Sequence, residues 1–277
     1  SIREVNVVRK HISRLKGGGL AQALAPATLL CLIISDVVGD DIGTVASGPT
    51  VADPSSFAEG WAILEHYHLL NKLPFSIRQH FKRGMAGEIP ETPGPQDPIF
   101  EKVKNIIVAN NQAALRAAAG QAKTLGYHPC ILSSVMEGDT RQIARFHAAI
   151  GKEVLISAHP VLRPACLLSG GETTVRVTGK GKGGRNQEFT LVASLELRNY
   201  PGVTVLSAGT DGTDGPTDAA GAVMDSRLWA EAQRRGLNAG KYLENNDTYH
   251  FFQNLDALIF TGPTGTNVMD LGMLLVV

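Results

Sequence analysis

The chain has 277 residues, 43% hydrophobic and 19% charged, with 26 basic and 26 acidic side chains in formal balance. That is globular usage with room for about two domains, and it excludes a disordered, collagen-like or coiled-coil chain. A neutral chain also lacks the basic field that gathers nucleic acid, so no such partner is expected.

Cys31, Cys130 and Cys166 each lie in an apolar run without zinc spacing, which suits a reducing compartment and a cytoplasmic location. No apolar stretch reaches the roughly 18 residues that span a membrane. The chain opens at Ser1 inside a helical pattern and reads as one whose first part is missing.

Val5, Val8, Ile12 and Leu15 have helical spacing, and the run Gly17-Gly18-Gly19 ends that helix. Residues 28–35, TLLCLIIS, read as a strand buried on both faces, as in a parallel sheet. Ser56 and Glu59 have capping-box spacing and open a helix to about Leu70; a short helix follows from Phe75 to Phe81. Four prolines between 84 and 98 mark a loop or linker.

From 103 the pattern alternates. Val103 to Ala109 is a strand, and Asn110 or Asn111 caps a helix to Leu125. Pro129 to Val135 is a strand, and Asp139 or Thr140 caps a helix through Val154. This alternation predicts an α/β fold with mainly parallel sheets flanked by helices. After a turn at His159-Pro160, strands are expected at 165–169, 173–178, 203–208, 257–261 and 273–277, with helices at 186–198, 226–235 and 247–254. A domain border is placed near residue 160.

Ligands of such sheets bind beyond the carboxyl ends of strands, where five polar clusters fall. Asp36 follows the first strand, with Asp40 and Asp41 beyond it; either Asp36 or Asp40 suits a metal or a proton, and a capped turn is the plain alternative. Glu172 projects from Ser169-Gly170-Gly171. Residues 179–188, GKGKGGRNQE, lead into a helix. Lys182, Gly183, Gly184 and Arg185 there offer backbone N–H groups and positive charge to a phosphate, unless the stretch is only a solvated hairpin. The string also matches G-x-G-x-x-G, but no acidic residue follows at the dinucleotide-binding distance. Asp211, Asp214 and Asp218 crowd a Gly-rich loop and are hard oxygen donors of the kind Mg²⁺ takes. Residues 261–270, TGPTGTNVMD, place Thr264 and Asn267 where a phosphate or a polyol hydroxyl could be bound. Cation, anion and carboxylate donors together suit phosphoryl transfer to a small hydroxyl-bearing anion.

The strings NVVRKH, LKGGGL, SDVVGD, ASGPT, SGGET, GRNQE, GTDGTDGPTDAAG and GTNVMD span nearly the whole chain. As a set they resemble the glycerate 2-kinases that end in a MOFRL domain, a family often labelled hydroxypyruvate reductase. The resemblance implies ATP-dependent phosphorylation of D-glycerate to 2-phosphoglycerate with Mg²⁺, at a cleft between two α/β domains. Residues 1–160 would be the C-terminal part of a Rossmann-like kinase domain and 161–277 the MOFRL domain. It implies that Asp36 or Asp40 faces the substrate hydroxyl or the metal, and that Glu172 and Arg185 line the cleft. Arg185 would hold a phosphate or the glycerate carboxylate, Asp211 and Asp214 would bind Mg²⁺ or orient the hydroxyl, and Asn267 would hydrogen-bond the ligand. A homodimer is left open. An upstream half with a catalytic lysine and a second phosphate loop, part of the family pattern, is absent from these residues. Two alternatives remain: an NAD(P)H-dependent hydroxypyruvate reductase, and a binding fragment without catalysis.

Overall fold

The structure, a computed structural model, describes residues 1–277. They form two compact units, 1–108 and 109–277.

The first unit holds α1 (Ile2–Ile12), α2 (Gly19–Leu24), β1 (Leu29–Ile34), α3 (Phe57–His66), α4 (Phe75–Met85) and β2 (Val103–Ala109). Ser1 and Glu4 close a capping box at the start of α1. Gly17 and Gly18, at φ 55° and 81°, turn the chain after it, as expected, but helix resumes at once in α2. Ser56 caps α3 through the Glu59 N–H at 3.2 Å. Phe57, Leu64 and Phe81 make the local core. β1 and β2 pair as a two-stranded sheet. The expectation of a strand buried on both faces fails for β1. Leu30, Leu32 and Ile34 are 58%, 64% and 44% exposed, because no layer of this unit covers that face.

The second unit opens with α5 (Asn111–Thr124), β3 (His128–Asp139), α6 (Thr140–Ser157) and β4 (Ala165–Thr174). It continues through α7 (Arg185–Leu197), β5 (Val203–Gly209), β6 (Gly221–Met224), α8 (Ser226–Arg234), α9 (Ala239–Glu244) and α10 (Thr248–Gln253), and ends with β7 (Leu258–Ile259) and β8 (Asp270–Val276). Asn110 caps α5 and Asp139 caps α6, each accepting from an N–H three residues on.

The six strands run in the order β3-β4-β8-β5-β6-β7. α/β is borne out; mainly parallel pairing is not. Only β3 and β4 pair in parallel. β8, the last strand of the chain, lies between β4 and β5 antiparallel to both, and β5–β6 and β6–β7 are antiparallel as well. Burial on both faces had suggested parallel strands. Here it comes from helices on both sides of a mixed sheet: Cys166 and Leu168 pack with Leu115 of α5, while Leu167 and Leu274 join the core formed with α6 and α7. Each of these leucines is essentially fully buried, worth about 1.5–3 kcal/mol apiece. Residues 109–160, assigned by sequence to the first domain, pack in the second unit because β3 and its two helices complete this sheet.

Candidate active site

The register sets which loops meet. Gly171 of β4 and Gly209 of β5 both lie opposite Asp270, the first residue of β8. The last residues of β4, Glu172 among them, the end of β5 and the start of β8 therefore share one edge of the sheet, where the 209–218 and 261–269 loops emerge.

Arg185 begins α7 at that edge. Its Nε and Nη2 donate to the two carboxylate oxygens of Asp270 at 2.5 and 3.1 Å, and its Nη1 donates to Glu172 Oε1 at 2.7 Å. Burial alone would lower the guanidinium pKa. The bond to Asp270 and the nearby negative charges outweigh that and raise it, so Arg185 is always charged. Asn186 Nδ2 donates to Asp270 at 2.9 Å and to Asp214 at 3.2 Å, and its Oδ1 accepts from Ser207 Oγ at 2.6 Å. Asn111 Nδ2 donates to the backbone carbonyls of Val268 and Asp270, both at 2.8 Å, and pins the start of β8. A cavity of about 370 Å³ opens beside Gly183, Gly184, Arg185, Thr173 and Pro216.

Asp214, expected as a metal ligand, has another use. α7 has glycine at its N-cap and no cap of its own. Asp214 supplies one from 28 residues downstream: its Oδ1 accepts the Asn186 N–H at 3.0 Å and its Oδ2 the Gln187 N–H at 2.8 Å. Gly184 permits this approach, since a Cβ there would run into the Asp214 carboxylate. Asp214 is 2% exposed. Burial pushes its carboxyl up to about 6, although its N–H bonds oppose the shift. The positive end of α7, expected to receive a ligand anion, is thus already faced by a carboxylate.

The Gly/Lys loop also departs from expectation. Its N–H groups face the protein: those of Thr178 and Gly179 donate to Asn246 Oδ1, that of Lys180 to Asn245 Oδ1, that of Gly181 to the Asn245 carbonyl and that of Lys182 to Asp247 Oδ1. Gly179, Gly181 and Gly183 are small because residues 245–248 press against them. The Lys182 ammonium lies 3.9 Å from the Tyr249 ring centroid and 3.6 Å from Asp218. The G-x-G-x-x-G match therefore serves packing, and the dinucleotide alternative loses its one support.

Asp211 is half-buried at the sheet edge, and its carboxylate accepts from the Thr213 N–H and hydroxyl. The 261–269 loop is tied to it: Thr264 N–H donates to the Asp211 carbonyl at 3.2 Å, and Thr264 Oγ1 to the Thr210 carbonyl at 2.6 Å. Asn267 is exposed and accepts the Met269 N–H at 3.0 Å. Glu172, Arg185, Asp211, Thr264 and Asn267 thus sit on one edge of one unit. Asp36 and Asp40 belong to the first unit, Asp36 exposed and Asp40 at φ 57°. No three His, Cys, Asp or Glu side chains converge as a protein-built metal site requires. Asp270, Asn186 and Asn111 were missed as site residues. Asp270 had a local signal, an acid at the start of an apolar strand, and Asn186 followed the singled-out arginine.

The second unit is a mixed three-layer α/β fold with a charged sheet edge. The MOFRL family model matches residues 165–270, and a "Domain of unknown function (DUF4147)" model matches 1–82. A glycerate kinase of Macaca fascicularis is 38% identical over 317 residues, covering 99% of this chain and 78% of that protein. A glycerate 2-kinase of Pyrococcus horikoshii is 41% identical, covering 96% of this chain and 60% of that protein. The crystal structure of a glycerate kinase from Thermotoga maritima is similar at TM-score 0.89 and 40% identity, over 100% of this chain and 64% of that one. The chain belongs to the glycerate kinase family. It spans about three fifths of the length of most curated relatives it matches.

Proposed function

We propose that the full-length protein transfers the terminal phosphoryl group of ATP to D-glycerate, giving 2-phosphoglycerate. Relatives that share this chain's edge-forming segments carry glycerate kinase names, and one is named a D-glycerate 2-kinase. The observation that carries the reading is Arg185, permanently charged and held in fixed orientation by Asp270 at the edge where three loops meet. Phosphoryl transfer depends on positioning and charge neutralisation, which such a group supplies. Arg185 would hold the glycerate carboxylate or a phosphate. Asn267 would bond hydroxyl or phosphate oxygens, and Thr264, whose N–H and O–H are spent on Asp211 and Thr210, would only accept from a substrate hydroxyl. The donor set suits only a Mg²⁺ that arrives with the nucleotide and needs one or two carboxylates, and Asp211 is the one in place for it. Such an ion would neutralise phosphate charge. We keep a family-domain border near 160 as part of the proposal; it falls between the segments matched at 1–82 and 165–270, while the compact units divide at 108. Three unpaired cysteines suit a cytoplasmic enzyme.

The test is Arg185→Lys in the full-length protein, assayed for ATP-dependent loss of glycerate. Lysine keeps the charge and loses the planar fork. One charge-assisted hydrogen bond lost, roughly 1.5–3 kcal/mol, predicts a kcat/KM about 10- to 150-fold lower. Unchanged kcat/KM for both substrates would remove Arg185 from the mechanism. Hydroxypyruvate-dependent NADH oxidation by the wild type, without kinase activity, would overturn the reading.

A further inference from the structure

Arg185 faces two carboxylates in unequal positions. Asp270 grips Nε and Nη2 with both oxygens, its side chain is 10% exposed, and Asn186 holds it from behind. Glu172 holds Nη1 through one oxygen at 2.7 Å, and its side chain is 45% exposed. A guanidinium has five N–H donors. With Asp270 in place, those that remain are on Nη1 and Nη2, the end of the fork away from Nε. Glu172 already occupies part of that end. One positive charge meets two negative ones, with Asp214 as a third nearby, so a further anion is opposed while Glu172 stays.

We propose that Glu172 is an internal stand-in for the substrate carboxylate. It keeps Arg185 paired in the free protein and leaves Nη1 when the carboxylate of the bound hydroxy acid arrives. Asp270 does not exchange; it is a positioning residue that fixes the guanidinium plane. Glu172 is suited to leave because it gives up one bond and returns to water, whereas Asp270 would give up two from Arg185 and a third from Asn186 inside the protein. The exchange replaces one carboxylate by another at Nη1, so the charge bonded to Arg185 is unaltered while Glu172 is screened by water. This inference rests on the reading that Arg185 receives the substrate's anionic group.

The test uses Glu172→Gln in the full-length protein, with inorganic sulfate as a probe that needs no turnover. Removing the competing charge is expected to tighten sulfate binding, measured by calorimetry, about 2- to 5-fold, the range of one partly exposed ion pair. KM for glycerate should fall by a similar factor. Glu172→Asp, which keeps the charge, should bind sulfate as the wild type does, and Arg185→Lys should lose the tightening when combined with Glu172→Gln. Sulfate binding unchanged in Glu172→Gln overturns the proposal. So does a collapse of kcat without tighter anion binding, which would make Glu172 a proton-transfer group. If the wild type lacks glycerate kinase activity but Glu172→Gln binds sulfate more tightly, the functional reading falls and the exchange stands. If the wild type phosphorylates glycerate and sulfate binding does not move, the reverse holds.

Discussion

Two Gly-rich loops meet at the first turn of α7, and each reads in sequence as a ligand loop. Residues 179–184 look like a phosphate cradle, yet the N–H groups of 179–182 are spent on Asn245, Asn246 and Asp247. Residues 209–218 look like a metal loop, yet their deepest carboxylate caps a helix. In both, glycine marks a close approach of protein to protein. The difference lies in what remains at the surface. The first loop keeps a lysine folded onto a tyrosine ring, while the second keeps Asp211 at the edge that also holds Arg185 and Glu172. Ligand chemistry is therefore expected from the second loop and its neighbours, and packing from residues 179–182 of the first.

The largest effect should come from joining the loops badly. Gly184→Ala would drive a methyl group into the Asp214 carboxylate while keeping an ordinary extended backbone, φ −146° and ψ 178°. Denaturant unfolding should show a loss of about 3 kcal/mol or more, at the upper end of overpacking costs. A variant of wild-type stability would mean that the two loops are not in contact.

A smaller effect concerns Asp214 itself. Its carboxyl is raised from 3.8 to about 6 in the fold, so folded protein binds the proton more tightly than unfolded chain. The stability from this site is complete below pH 4 and is lost as pH rises to 6. Above that, Asp214 is charged and caps α7 at a constant cost of burial. Unfolding free energies measured at intervals between pH 4 and 7 should carry this downward contribution in the wild type and lack it in Asp214→Asn. Identical pH slopes for the two proteins would count against a buried, titrating cap.

The smallest effect is predicted at Lys182. Lys182→Met removes an ammonium over an aromatic face and should cost about 0.5–1 kcal/mol of stability. It should leave the ATP KM within about 2-fold. A large rise in KM would restore the first loop as a phosphate site and break the contrast between the loops.

Much of this was legible in the chain. Caps were readable at Ser56, Asn110 and Asp139 because each acts within three residues of itself. β2 was bounded correctly by its apolar run. Arg185, Glu172, Asp211 and Asn267 stood out as polar groups in Gly-rich stretches, but the turn expected at Glu172 is absent: β4 runs unbroken from Ala165 to Thr174 beside β3. The direction of pairing was not legible, because apolar runs such as those of β4, β5 and β8 look alike whether their neighbours run parallel or antiparallel. The role of Asp214 was hidden for a similar reason: a side chain supplied across 28 residues leaves no local spacing to read. β6, four residues long, and α9, six, were missed because short elements carry too little periodicity.

The borrowed cap has a consequence for the order of assembly. α7 cannot complete its first turn from its own residues, since Gly184 brings no side chain and the carboxylate arrives from the loop beyond β5. The helix's nucleus is therefore expected to form elsewhere along its length, or to wait until β5 has docked beside β8. Closing so long a loop is paid in chain entropy before its contacts are returned, which slows folding relative to a locally capped helix. The arginine that the first turn presents is then oriented only once the sheet is whole, so a partly folded chain does not display a finished anion site.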